Sequence, residues 1–171
     1  RGDALRRLRG PAGLAAAAGV ARQPAGAALS PVAEYRASAL RLHSQLDNTP
    51  LREKHAVANR EEILINPQDA VQRGIRSGDL VRAFNARGQI LVGALVTEAI
   101  RPGVVRISEG AWYDPADPAQ PGALCRNGNV NCLTVDIGTS MLAQGNCGHM
   151  AQLEIEKYQG EPPPNHAHAA P

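Results

Sequence analysis

Residues able to do chemistry crowd into three stretches of the 171-residue chain. RLHSQLDN, residues 41–48, sets His43, Ser44, Gln45, Asp47 and Asn48 close together. An imidazole beside a hydroxyl and a carboxamide is suited to hydrogen bonding. His43 becomes a general-base candidate only where a nucleophile is brought within its reach. EGAWYDPADPAQPGALCRNGNVN, residues 109–131, carries Trp112 beside Tyr113 and ends on Asn131. A segment that long with little strand or helix signal marks either a functional loop or a disordered one. DIGTSMLAQGNCGH, residues 136–149, adds Thr139, Ser140, Gln144 and Asn146, with glycines such as Gly145 among them. Hydroxyls, carboxamides and close backbone approach suit a neutral, polar ligand such as a purine or a pterin. The same composition also suits a loop whose side chains bond its own backbone.

Other chemistries lack their patterns. The chain has no Gly-x-Ser-x-Gly elbow, no Walker A sequence and no Gly-x-Gly-x-x-Gly. Cys125, Cys132 and Cys147 contain no Cys-x-x-Cys pair, which argues against zinc, an iron–sulfur cluster or a disulfide scaffold. They read as small packing residues, one of them exposed on the long loop. Nothing in the spacing of Asp136, Ser140 and His149 supports a triad. His166 and His168 follow three consecutive prolines and read as part of a solvated tail rather than as metal ligands.

The elements that must position these stretches lie between residues 40 and 160. Hydrophobic residues make up 43% of the chain, enough for a packed core, but aromatics are only 3%, so that core rests on Val, Ile, Leu and Ala. Lys+Arg 18 against Asp+Glu 16 leaves a net charge of +2, too balanced for a protein built to grip nucleic acid. No apolar run reaches the ~20 residues needed to span a bilayer. EEILIN, 61–66, reads as a strand and runs into one short helix at about 67–73. Asn66 is its cap, Pro67 its first residue, Asp69 sits near the positive dipole end, and Gly74 ends it. GDLVRAFNARGQILVGALVT reads as a hairpin turning at 85–88. RPGVVRIS, NCLTV at 131–135 and the alternating MAQLEIEKY at 150–158 supply further strands. Short strands with one or two short helices predict a mainly β barrel or sandwich. Residues 1–40, rich in Ala, Gly, Arg and Pro, read as a low-complexity, disordered leader. Arg6-Arg7 there faintly resembles a twin-arginine export signal. Residues 161–171 read as a disordered tail.

RLHSQLDN, INPQDAVQRGIRSGDLVRAFNARGQILVGALVTEAIRPGVVRISEGAWYDP and GNVNCLTVDIGTSMLAQGNCGH together resemble one family. This is the C-terminal molybdopterin-dinucleotide-binding domain of the trimethylamine-N-oxide and dimethyl sulfoxide reductases, over roughly residues 41–160. The resemblance implies a six-stranded double-psi β-barrel. It implies the bis(molybdopterin guanine dinucleotide) molybdenum cofactor, contacted by His43, Ser44, Gln45, Trp112, Tyr113, Asn131, Ser140, Gln144 and Gly145. It assigns no catalytic residue and no metal ligand to this segment. As partners it implies the remaining domains of a parent reductase and an electron donor such as a c-type cytochrome. It places that parent in the periplasm, with the cytoplasm as the alternative. The chain departs from the family pattern at Met141, where relatives usually carry lysine. The isolated chain is expected to be inactive in oxygen-atom transfer. The alternative is a non-catalytic β-barrel remnant, or an interaction module, that binds no cofactor.

Overall fold

The computed structural model describes residues 31–36, 38–135, 137, 140–142, 148 and 150–169. The elements are β1 (Val32–Arg36), a 3-10 turn (Pro50–Lys54), β2 (Glu62–Ile65), α1 (Pro67–Gln72), β3 (Leu80–Phe84), β4 (Gln89–Val96), β5 (Val104–Ser108), β6 (Leu124–Cys125), a second 3-10 turn (Val130–Cys132), β7 (Met150–Gln152) and β8 (Glu154–Lys157). The fold is mainly β, with only short helices.

Local chemistry explains α1. The Asn66 side chain accepts the Gln68 N–H at 2.9 Å and donates to the Ile100 carbonyl at 2.7 Å. Asp69 accepts the Gly103 N–H at 2.7 Å, which ties the helix to the turn entering β5. The β3–β4 hairpin turns where the 85–88 sequence placed it, with the Asn85 N–H bonded to the Gly88 carbonyl at 3.0 Å.

The strands form one curled sheet in the order β7-β1-β5-β2-β4-β3-β8, with β6 added on β4. Its long member is β4. One of its edges pairs antiparallel with β3, while the other pairs parallel with β6 at Gln89–Ile90 and with β2 at Gly93–Val96. The two ends of the order, β7 and β8, are separated in the chain by Leu153 alone. Leu153 is 2% exposed and belongs to the core, with Ile63, Ile65, Val81, Ile90, Val92, Val105, Ile107, Leu133 and Ile155. Tyr35 is the one aromatic in that cluster, as the composition requires. A Cβ at Gly93 would run into the Val57 carbonyl, because the 57–60 turn lies directly on β4 there.

Four sequence expectations need correction. NCLTV is not a strand: the Asn129 side chain accepts the Asn131 N–H at 2.9 Å and starts a 3-10 turn, so a local cap overrides β propensity. MAQLEIEKY is two strand segments rather than one, and with β1 and β6 added and NCLTV lost, eight strand segments are described. The described part of the expected leader contains β1, held between β5 and β7. Residues 1–30 lie outside the described residues. The described part of the expected tail, 161–169, packs back on the domain through Pro163, Asn165, His166 and His168.

Two substitutions rank these contributions. Leu153→Ala leaves a cavity at the residue joining both sheet ends, and is expected to cost about 2–5 kcal/mol. Asn66→Ala removes a cap and is expected to cost about 1–2 kcal/mol. Urea denaturation of each variant checks both the values and their order.

Candidate functional site

The site starts from a buried cluster of charges. Arg41 lies with Nη1 at 2.7 Å from both Asp47 Oδ1 and Glu61 Oε2. Its guanidinium also donates to the Glu109 carbonyl at 2.6 and 3.0 Å. Arg52 donates to Asn127 Oδ1 at 2.8 Å and to the Asn59 side chain at 2.9 Å. Asp47, Glu61 and Asn127 are at most 1% exposed, and Arg41 and Arg52 no more than 7%. Two cations thus meet two carboxylates, which offsets the cost of removing each from water.

This cluster fixes the long 109–131 loop. Asp47 Oδ2 accepts the Trp112 N–H at 3.0 Å, and Asn127 Nδ2 donates to the Trp112 carbonyl at 2.9 Å. The Trp112 indole N–H reaches the Ser44 carbonyl at 2.8 Å. Further along, Arg126 pairs with Asp114 at 2.5 Å. His168 Nε2 lies 2.9 Å from Asp47 Oδ2, and its ring sits 5.3 Å from that of Trp112. Burial pushes the Asp47 carboxyl up. The Trp112 N–H, His168 and Arg41 together outweigh it and hold the group below the usual carboxylate range.

With Trp112 held, Tyr113 is presented to an open groove. One cavity of about 290 Å³ is lined by Arg87, Tyr113, Gly122, Ala123, Asn129, Asn131 and Cys132. A second, of about 380 Å³, shares Arg87 and Gly122 with it and adds Arg82, Asn85 and Gln89 from the hairpin. Arginines, carboxamides and one phenol make this lining complementary to a polar anion carrying an aromatic ring. Asn85 also has a structural role, donating to the Leu133 and Gln152 carbonyls at 2.9 and 3.2 Å.

The residues singled out from sequence fall into groups. Tyr113 and Asn131 line the groove. His43, Ser44 and Gln45 are exposed and sit with Trp112 on the neighbouring surface; His43 Nδ1 is 3.1 Å from Glu109 Oε1. Ser140 is exposed and its Oγ accepts the Leu142 N–H at 3.3 Å. Gln144 and Gly145 lie outside the described residues. Arg87, Asn129 and Cys132 were missed. Arg87 sits in the tip of a hairpin, where a sequence reading sees only turn chemistry. The two described cysteines pack as the sequence suggests: Cys125 lies in the hydrophobic core, and Cys132 packs against it while also lining the cavity.

Residues 35–151 match the family described as the molydopterin dinucleotide binding domain. The chain is 57% identical over 122 residues to the dimethyl sulfoxide/trimethylamine N-oxide reductase of Cereibacter sphaeroides, covering 71% of this chain and 15% of that protein. It is 60% identical over 121 residues to trimethylamine-N-oxide reductase 1 of Escherichia coli K12, covering 70% of this chain and 14% of that protein. The chain therefore spans about one-seventh of the length of these relatives. Among solved structures, acetylene hydratase from Pelobacter acetylenicus superposes with a TM-score of 0.57 at 14% identity, over 75% of this chain and 18% of that one. That likeness concerns the fold alone.

Asp47→Asn leaves Arg41 and Arg52 with one carboxylate between them and is expected to destabilise by about 3–5 kcal/mol at pH 7. The folded-state pKa of Asp47 is depressed, so its contribution is present above the unfolded value of about 3.9 and is lost as pH falls through the folded value. The deficit of the variant should therefore be full at neutral pH and shrink below about pH 4. Chemical denaturation of both proteins from pH 7 to pH 3 measures it.

Proposed function

The chain belongs to the molybdopterin dinucleotide binding domain family, and on that premise we propose that its groove holds the nucleotide part of a bis(molybdopterin guanine dinucleotide) molybdenum cofactor. The observation that carries the reading is the groove lining. Arg87 and Arg82 supply cations for a pyrophosphate, and Asn129 and Asn131 supply paired donors and acceptors for a purine edge. Tyr113 offers a ring face at 55% exposure. These donors fit the chemistry of the group. His43, Ser44, Gln45 and Trp112 would contribute from the adjoining surface, and Ser140, Gln144 and Gly145 from the 136–149 stretch. When bound, the cofactor supplies the two-electron molybdenum chemistry that removes an oxygen atom from an N-oxide or S-oxide. This chain's residues bind and orient it and exclude water from it.

In this reading the 150–157 segment counts as a single bent strand and the two-residue β6 as an addition on β4, which makes a six-stranded double-psi β-barrel. The adjacency of β7 and β8 at opposite ends of the sheet order supports that count. The parent protein would be a reductase of the trimethylamine-N-oxide and dimethyl sulfoxide type, working in the periplasm with a separate electron donor such as a c-type cytochrome. The remaining domains of that reductase would cover the other side of the cofactor. Among the described residues no helix is long and apolar enough to cross a membrane.

The test is a titration of the 171-residue chain with extracted cofactor. Asn131→Ala and Gln144→Ala should each weaken binding about tenfold to a hundredfold, since an unpaired donor or acceptor costs roughly 1–3 kcal/mol. Arg87→Ala should weaken it further at low salt than at high salt. A dye-donor assay should show no reduction of either oxide by the chain alone. Unchanged affinity in all three variants overturns the assigned site, and sustained turnover overturns its restriction to cofactor binding.

A further inference from the structure

The segment 162–169 has a defined shape. Three prolines, 162–164, hold its start extended. A turn follows, in which Asn165 Oδ1 accepts the Ala167 N–H at 3.0 Å and the Ala169 N–H bonds to the His166 carbonyl at 3.0 Å. The root of the segment is pinned by contacts that involve no imidazole. Arg60 donates to the Pro163 carbonyl, and Asn165 Nδ2 donates to the Asn59 carbonyl at 2.8 Å and to Asn127 Oδ1 at 2.7 Å. The backbone N–H of His166 bonds to Asp114 Oδ2 at 2.8 Å. The tip is held differently. There the His168 Nε2 lies 2.9 Å from Asp47 Oδ2, and its ring sits 5.3 Å from that of Trp112, tilted by 50°.

We propose that residues 163–169 are a proton-operated strap: protonated His168 latches it onto Asp47 and over Trp112, and loss of that proton frees the tip and bares the Trp112 face.

The surrounding charges set the direction of the switch. His168 makes its ion pair with Asp47, which is fully buried in the 41–48 stretch. Behind Asp47 stand Arg41, at 2.7 Å, and Arg52 of the first 3-10 turn, at 3.7 Å. Glu61 lies 2.7 Å from Arg41 and 3.7 Å from His55. On the long loop Asp114 pairs with Arg126, and Glu109 with His43. His166 is the strap's own second imidazole, and Arg60 holds its root. Burial pushes the Asp47 carboxyl up, but the Trp112 N–H, His168 and Arg41 hold it low, so it stays ionised where histidines titrate. An imidazolium facing that carboxylate makes a charge-assisted bond, about twice as strong as the bond of a neutral ring. Closure is therefore favoured at low pH and weakens as pH rises through the histidine range of about 5–8. Release leaves the hub intact, because Arg41 and Arg52 keep Asp47 paired. The His168 side chain is 22% exposed, which gives its proton a path to solvent.

The strap goes beyond cofactor binding, and its test contains no cofactor, so each can fail without the other. Trp112 is the one tryptophan of the chain, so its emission reports on this contact. An imidazolium packed against an indole quenches that emission. In the 171-residue chain, Trp112 emission should rise and shift to the red between pH 5 and pH 8. His168→Gln should remove the transition, whereas His166→Gln should keep it. Hydrogen exchange, corrected for the intrinsic rate at each pH, needs no variant. Protection of the 166–169 amides should fall about fivefold to tenfold from pH 6 to pH 8, while that of β2 and β4 stays constant. Emission that is flat from pH 5 to pH 8, a transition that persists in His168→Gln, or equal protection of 166–169 at both pH values overturns the proposal.

Discussion

Everything around the groove depends on burying two arginines and two carboxylates together. Arg41, Arg52, Asp47 and Glu61 are each nearly sealed from solvent, and any one left alone there would be strongly unfavourable. The cluster therefore forms as a unit or not at all. Its members come from the 41–61 stretch, but its satisfaction needs the Glu109 carbonyl, the Trp112 amide and the Asn127 carboxamide from the long loop. A segment without regular secondary structure is thereby given a defined path. The hydrophobic core holds the sheet, while the ions hold the loop that the sheet leaves free.

The same constraint explains the chain's last described residues. Asn165 donates to Asn127 Oδ1 at 2.7 Å, the His166 amide donates to Asp114 at 2.8 Å, and His168 meets Asp47. Three prolines make the segment extended and low in conformational entropy, so few contacts suffice to dock it. Composition alone makes such a segment a free tail. It packs because the partners waiting for it are buried acceptors and carboxylates left over from the cluster.

Elements whose signals are local were readable from sequence, and elements made by distant partners were not. The cap at Asn66, the hairpin at 85–88 and the alternation of Leu153 and Ile155 with Glu154 and Glu156 each lie within a few residues, and each appears where expected. Strand β1 carries Ala33 and Tyr35 on its buried face, but it is flanked by Ala- and Pro-rich sequence and pairs with β5 from Val104 onward. Nothing near residue 32 announces that partner. Asp47 was readable as a polar residue in RLHSQLDN, not as the hub of a buried network, because Arg41, Trp112 and His168 reach it from three separate parts of the chain. Of the residues the family resemblance names, Tyr113 and Asn131 line the cavity. Arg87 joins that lining only after the 113–132 segment folds against the hairpin tip, which no local signal announces.

The groove's geometry is consequently set at a distance from the groove. Tyr113 reaches the cavity because the residue before it is bound on both backbone sides, its N–H by Asp47 and its carbonyl by Asn127. Asn129 and Asn131 follow Asn127 by two and four residues, with Val130 buried between them as a second anchor. Both walls of the cavity thus hang from one pair of buried side chains. A change at Asp47 or Asn127 would move Tyr113, Asn129 and Asn131 together, whereas a change at Arg87 would alter the charge of the groove and leave its shape. Binding that depends on the first kind of residue and not on the second would point to a shape-selected neutral ligand. Dependence on both is the signature of an anion carrying an aromatic ring, which is the chemistry of a dinucleotide.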